Sequence, residues 1–118
     1  MELTEFATRL DERLDVEDLD GLDYAVNGLQ VGSEDGTVER AAFAVDGVAL
    51  TFEEAVEWGA DVLVVHHGVS WGGIDRVTGK EYERLGTLLR NDLALYAVHL
   101  PLDGHQELGN AAGLADFL

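Results

Sequence analysis

The chain has 118 residues, with 7 Lys and Arg against 24 Asp and Glu, a formal net charge of −17 and an apolar fraction of 47%. That length suits one domain with its own core, and the apolar fraction is too high for a disordered acidic tail. The chain has no cysteine, which excludes disulfides, thiolate metal sites and cysteine nucleophiles, and its charge disfavours nucleic acid and anionic membranes as partners, since both select a basic face.

The opening stretch MELTEFATRLDERL is acidic and amphipathic, unlike a signal or transit peptide. No apolar run approaches the roughly 20 residues of a membrane span, so a cytoplasmic location is expected. Leu3, Phe6, Ala7, Leu10 and Leu14 fall on one face of a helix, with Thr4 as its N-cap. Residues 16–27 read as irregular. Leu29–Val31 forms a short extended piece closed by Gly32, and SEDGT at 33–37 reads as a turn.

Three compact apolar runs follow: AAFAV at 41–45, DVLVV at 61–65 and LALYAV at 93–98. Continuous apolar runs, as opposed to alternating ones, predict strands buried on both faces, as in a parallel sheet. Between the first two runs, TFEEAVEW at 51–58 predicts a helix with Thr51 as N-cap and Gly59 as its stop. Between the second and third, Tyr82, Leu85, Leu88 and Leu89 predict an apolar helical stripe over 78–91. A last helix is expected from Asn110 onward. This alternation predicts an α/β layered domain over residues 1–118, with a mostly parallel buried sheet flanked by helices and right-handed crossovers.

Lysine occurs once, at Lys80, against six arginines. A surface rich in carboxylates and nearly free of lysine suggests adaptation to high salt, which screens self-repulsion over a few ångströms. Stability rising into the molar salt range is the expected consequence.

The four histidines are His66, His67, His99 and His105. Two directly follow the second apolar run and one ends the third. In an open α/β sheet, ligands gather at the carboxyl ends of strands, so metal-competent residues collect where the fold would place a site. Asp103 follows shortly after, and Asp46 ends the first run. Without cysteine, such a set suits divalent Zn, Fe, Mn, Co or Ni. Neighbours in a regular strand point to opposite faces. His66 and His67 can therefore serve one centre only if the chain turns there, which Gly68 permits. His105 reads as a loop residue, and Asp46 as a turn residue before Gly47. Trp71 is placed to wall the pocket. Other chemistry lacks its signature: Ser70 sits in no G-x-S-x-G elbow, and the glycines form neither a Walker nor a dinucleotide loop.

Four blocks, YAVNGLQVG at 24–32, AAFAVD at 41–46, ADVLVVHHGVSW at 60–71 and YAVHLPLDGHQELGN at 96–110, occur in an order that resembles the NIF-three-like family, which includes YbgI-type proteins. The resemblance covers nearly the whole chain, as the N-terminal half of such a protein. It implies a two-metal site with His66 and His67 as ligands leaning toward different ions, Asp103 sharing in binding, and His99 and Asn110 as near neighbours. It also implies a ring-shaped homohexamer with the sites facing an internal cavity. Family members often carry the label of a GTP cyclohydrolase of a second type. Family chains are usually about twice as long, and their second half supplies a His-x-x-x-Glu pair that has no counterpart here. This chain is therefore expected to be a fragment or to hold an incomplete second metal site. Two functions follow: a di-metal-dependent hydrolase of a small-molecule substrate, or a non-catalytic metal carrier or scaffold.

Overall fold

The computed structural model describes residues 1–109. Its elements are α1 (Leu3–Arg13), a 3₁₀ segment (Val16–Leu22), β1 (Gly28–Val31), β2 (Ala41–Phe43), α2 (Ala49–Trp58), β3 (Val62–Val65), α3 (Gly79–Arg90), β4 (Ala94–Ala97) and the single turn α4 (Leu100–Asp103). The helix expected from Asn110 onward, and Asn110 itself, lie outside the described residues. Among the described residues, no helix is long and apolar enough to cross a membrane.

The four strands form one sheet in the order β1-β4-β3-β2. β2, β3 and β4 are parallel, and β1 pairs antiparallel with β4 at the edge. The predicted mostly parallel layered α/β architecture is therefore present. The apolar runs mark its centre, since every residue of β3 and β4 is buried. Their side chains alternate between two cores. Leu63, Val65, Leu95 and Ala97 pack with Phe52 of α2 and with Leu85 and Leu88 of α3. Val62, Val64, Ala94 and Tyr96 pack on the other face with Leu3 and Ala7 of α1. Each fully buried aliphatic side chain contributes about 1.5–3 kcal/mol, so these two layers hold the strand ends in place. Tyr96 carries a polar group into the second core; its hydroxyl donates to Asp11 Oδ1 at 2.7 Å. Burial first, and then the Asp11 carboxylate, push that hydroxyl well above its ordinary range, so it stays a donor.

The helix boundaries differ from the expected ones for local reasons. α1 begins at Leu3 with Glu2 before it, so Thr4 lies inside the helix and caps nothing. α2 begins earlier than expected, at Ala49. Thr51 lies one turn in, and its hydroxyl accepts the Val48 N–H at 3.1 Å and donates to Asp46 O at 2.7 Å. It still satisfies a free amide at the helix start, from within the first turn. Gly59 ends α2 at a φ of 85°, as expected of a glycine stop. In α3 only Leu85 and Leu88 of the predicted stripe are buried, while Tyr82 and Leu89 are exposed.

Candidate metal centre

β3 and β4 run parallel and adjacent, so their carboxyl ends lie side by side. His66 and His67 follow the first, and His99 follows the second. The backbone solves the facing problem of the adjacent pair directly. Both the His66 and the His67 N–H groups bond to the one carbonyl of Val45, at 3.0 and 2.9 Å. Two successive donors on one acceptor break the pleat, as in a bulge, and the two imidazoles come to one side with ring centroids 4.6 Å apart. The chain then passes through Gly68. A side chain there would run into the Gln30 carboxamide and meet Ala97 Cβ at 2.7 Å. Close approach, not a left-handed turn, is what requires glycine at this position.

His66, His67 and His99 offer ring nitrogens that all lie within 4.8 Å of one another. The His99 ring centroid stands 4.9 Å from that of His66 and 5.5 Å from that of His67. In each ring Nδ1 is already committed. His66 Nδ1–H donates to Val98 O at 2.8 Å, His67 Nδ1–H to Asp46 Oδ1 at 2.7 Å, and His99 Nδ1–H to Asp23 Oδ1 at 3.1 Å. These acceptors assign one tautomer to all three rings, with the Nε2 lone pair free. A metal-ligating histidine requires that arrangement: a carbonyl or carboxylate holds the far nitrogen, fixes the ring and raises its basicity.

His105 shows the opposite pattern. Its Nδ1 accepts the backbone N–H groups of Glu107 and Leu108 at 3.2 and 3.1 Å, so the proton sits on Nε2 and goes to Arg13 O at 2.9 Å. It is buried and pins the loop after α4, as its reading as a loop residue implies.

Asp103, on α4, places Oδ1 3.5 Å from His66 Nε2. Its side chain faces the space that the free nitrogens face, but it does not belong to the group that converges within 4.8 Å. Trp71 stands edge-to-face with His99, with centroids 5.1 Å apart, and lies 6.1 Å from His67, so the indole borders the cluster. Asp46 does more than turn the chain, because its carboxylate orients His67. Donor atoms around a four-coordinate ion at 2.0–2.1 Å lie about 3.3–3.4 Å apart, so modest closure of the three rings brings them to one ion.

The irregular stretch before β1 holds the residues that sequence reasoning missed. The Asp23 side chain is 3% exposed. Its Oδ1 accepts from the Ala25 N–H and the His99 ring, and its Oδ2 accepts from the Asn27 amide and the Leu100 N–H. Burial pushes this carboxyl upward, but the bonds from Asn27, the Leu100 and Ala25 amides and His99 outweigh it and hold it down at about 2. Asn27 Oδ1 in turn accepts the His99 N–H at 2.7 Å. Gln30 reaches across to the other strand end, where its Oε1 accepts the Val69 N–H at 2.9 Å. Nothing in periodicity marks these polar residues. The available signal was slight: Asp23 and the Asn27-Gly28 pair stood as polar residues without a role just before a buried sheet.

The family model described as Duf34/NIF3 (NGG1p interacting factor 3) matches residues 1–118. A Halobacterium salinarum relative called GTP cyclohydrolase 1 type 2 homolog is 59% identical over all of this chain and 46% of its own length. An Escherichia coli relative of the same name is 44% identical and is matched over 47% of its length. Among solved structures, TTHA1606 of Thermus thermophilus superposes with a TM-score of 0.90 at 40% identity, covering 98% of this chain and 47% of that one. The chain thus spans about half the length of the curated relatives it matches.

Proposed function

The chain belongs to the Duf34/NIF3 family, and from that premise we propose that it is the metal-binding part of a metal-dependent hydrolase. The observation that carries this reading is the shared tautomer of His66, His67 and His99, each with Nδ1–H engaged and Nε2 turned to a common space. His66, His67 and Asp103 hold a divalent transition metal ion, and His99 Nε2 lies close enough to join them. Zn, Mn, Fe, Co and Ni all suit imidazole with carboxylate. When bound, the ion supplies Lewis acidity toward a substrate carbonyl, amide or phosphoryl oxygen.

The chain's own residues supply orientation. Asp23, Asn27 and the Val98 carbonyl fix His99 and His66, Asp46 fixes His67, and Trp71 shields one side of the cluster. Asp23, Asp46 and Asp103 also set a negative field that attracts a cation. The relatives' name points to a purine nucleotide as substrate, opened by hydrolysis at a ring carbon. A homo-oligomer, the hexameric ring that the resemblance implies, belongs to this reading as the assembly in which a neighbouring segment adds a His and a Glu.

A second reading, a metal carrier without turnover, is favoured by the donor count. Any three of the three imidazoles and Asp103 suffice for one four-coordinate ion with an open position, but the four together do not hold two ions firmly. The two readings separate in one experiment. Metal-stripped 118-residue chain is titrated with Zn or Mn and then assayed for GTP hydrolysis. The expected stoichiometry is nearer one ion per chain than two, with little turnover until a segment carrying the missing donors is supplied. Two tight equivalents and robust turnover would refute the incomplete-site reading. One exchangeable equivalent with no turnover under any complementation would leave the carrier.

A further inference from the structure

α2 and α3 share one core on the same face of the sheet, and both reach the turn that follows β2. That turn, Asp46–Gly47, is bound to His67 at three points. The Gly47 N–H donates to His67 O at 2.6 Å, the Asp46 carboxylate accepts the His67 ring proton at 2.7 Å, and Asp46 and His67 pair as a parallel bridge. A Cβ at residue 47 would stand 2.9 Å from His67 O, so glycine is what lets the turn come this close. The position of the turn therefore decides where the His67 imidazole points.

Arg84 of α3 grips the same turn. Its Nη1 donates to Gly47 O at 3.0 Å, 37 positions away in the chain, and its Nη2 pairs with Glu81 on the preceding turn of the helix. The side chain is only 22% exposed, and its Nε is buried with no partner among the described residues. A guanidinium gives up water at a cost that its remaining bonds must offset, so the two Nη contacts are what keep it in place. Its donors lie in a fixed planar fork, which suits it to span two acceptors at once. Glu81 balances the charge, so the clamp adds no net positive field beside a centre that takes a cation.

We propose that Arg84, braced by Glu81, is a positioning residue for the metal centre: through the Gly47 carbonyl it fixes the Asp46–Gly47 turn, and the turn fixes the His67 ring with Nε2 toward the ion. The inference rests on the metal-centre reading and extends it beyond the acceptors that touch the rings. It makes α3, which supplies no residue of the imidazole cluster, part of what sets metal affinity.

The test is a double-mutant cycle, with Zn affinity read by competition against a chelator. Arg84→Met keeps an apolar stem and removes the donors. It should weaken Zn binding about tenfold, the low end of what loss of a ligand's own acceptor costs. In an Asp46→Ala background, where the His67 ring has already lost its acceptor, Arg84→Met should change affinity by less than about twofold, because residues acting in one chain of contacts are not additive. In an Asp23→Asn background, which acts on His99, the loss of about tenfold should persist. A second readout needs no metal: proton–nitrogen correlation NMR of the imidazoles in metal-free protein. His67 should be the Nδ1–H tautomer in the unmodified protein and a mixture of tautomers in Arg84→Met, with His66 and His99 unchanged. If Arg84→Met fails to fold, Glu81→Gln carries the same measurements, with a loss of about two- to fivefold. No loss of affinity, an equal loss in the unmodified and Asp46→Ala backgrounds, or an untouched His67 tautomer overturns the positioning role. Unmodified protein that binds no Zn while the His67 tautomer shifts as expected overturns the metal centre and leaves the link from Arg84 to His67 standing.

Discussion

Replacing His66 and His67 together by Ala should abolish transition-metal binding. The two side chains are the closest pair in the cluster, at 4.6 Å between ring centroids, and each reaches the common space with Nε2 free. Their loss leaves His99 and Asp103, both on the single turn of α4 and its N-cap, and two donors hold a divalent ion far more weakly than three or four. The rings are 15% and 44% exposed at the side chain, so the double variant removes little core, and circular dichroism should remain native-like. Metal content after dialysis against a weak chelator is the readout. Retention of the metal by the folded double variant would show that the ion binds elsewhere.

The second large effect concerns Asp23. Its carboxylate accepts from four donors in nearly complete burial, so Asp23→Asn turns an amide NH₂ toward two N–H groups whichever way it is placed. Leaving such groups unpaired costs about 2–4 kcal/mol. The same substitution removes the charge of the acceptor that fixes His99, so metal affinity should fall about 10–100-fold.

The pH dependence has a definite sign. The folded carboxyl is held at about 2, below the ordinary 3.8. Asp23 therefore stabilises the fold above the ordinary value, and that contribution is lost as pH falls from there through 2. The full contribution is about 2 kcal/mol. Urea unfolding of wild type and Asp23→Asn between pH 5 and pH 2 should show the gap between them narrowing as pH falls. A gap constant across that range would contradict the assignment of Asp23 as the charged hub.

The sheet was legible because burial on both faces leaves a compositional trace. VLVV at 62–65 and ALYA at 94–97 are apolar without interruption, and a strand inside a layered domain has no other way to be written. The convergence of His66, His67 and His99 was legible for the same reason: each follows such a run, and parallel neighbours bring their carboxyl ends together. Other features left no trace. The antiparallel direction of β1 depends on how the 3₁₀ segment delivers the chain, and its four residues carry no directional pattern. The turn at His66–His67 depends on Val45 accepting two amides, a contact between elements far apart in sequence. Gly68 was expected to supply a turn; it is needed because Gln30 and Ala97 crowd its Cα. The Asp23–Asn27–His99 clamp joins residues more than seventy positions apart, and neither periodicity nor propensity encodes such a pairing.

X-ray absorption spectroscopy on metal-loaded protein tests the central claim, that imidazoles from two adjacent strand ends hold a transition metal ion. The expected spectrum shows nitrogen and oxygen donors at about 2.0–2.2 Å, with the outer-shell scattering of at least two imidazoles and no sulfur. A shell of oxygens alone, without imidazole scattering, would contradict the metal centre built from His66, His67 and His99.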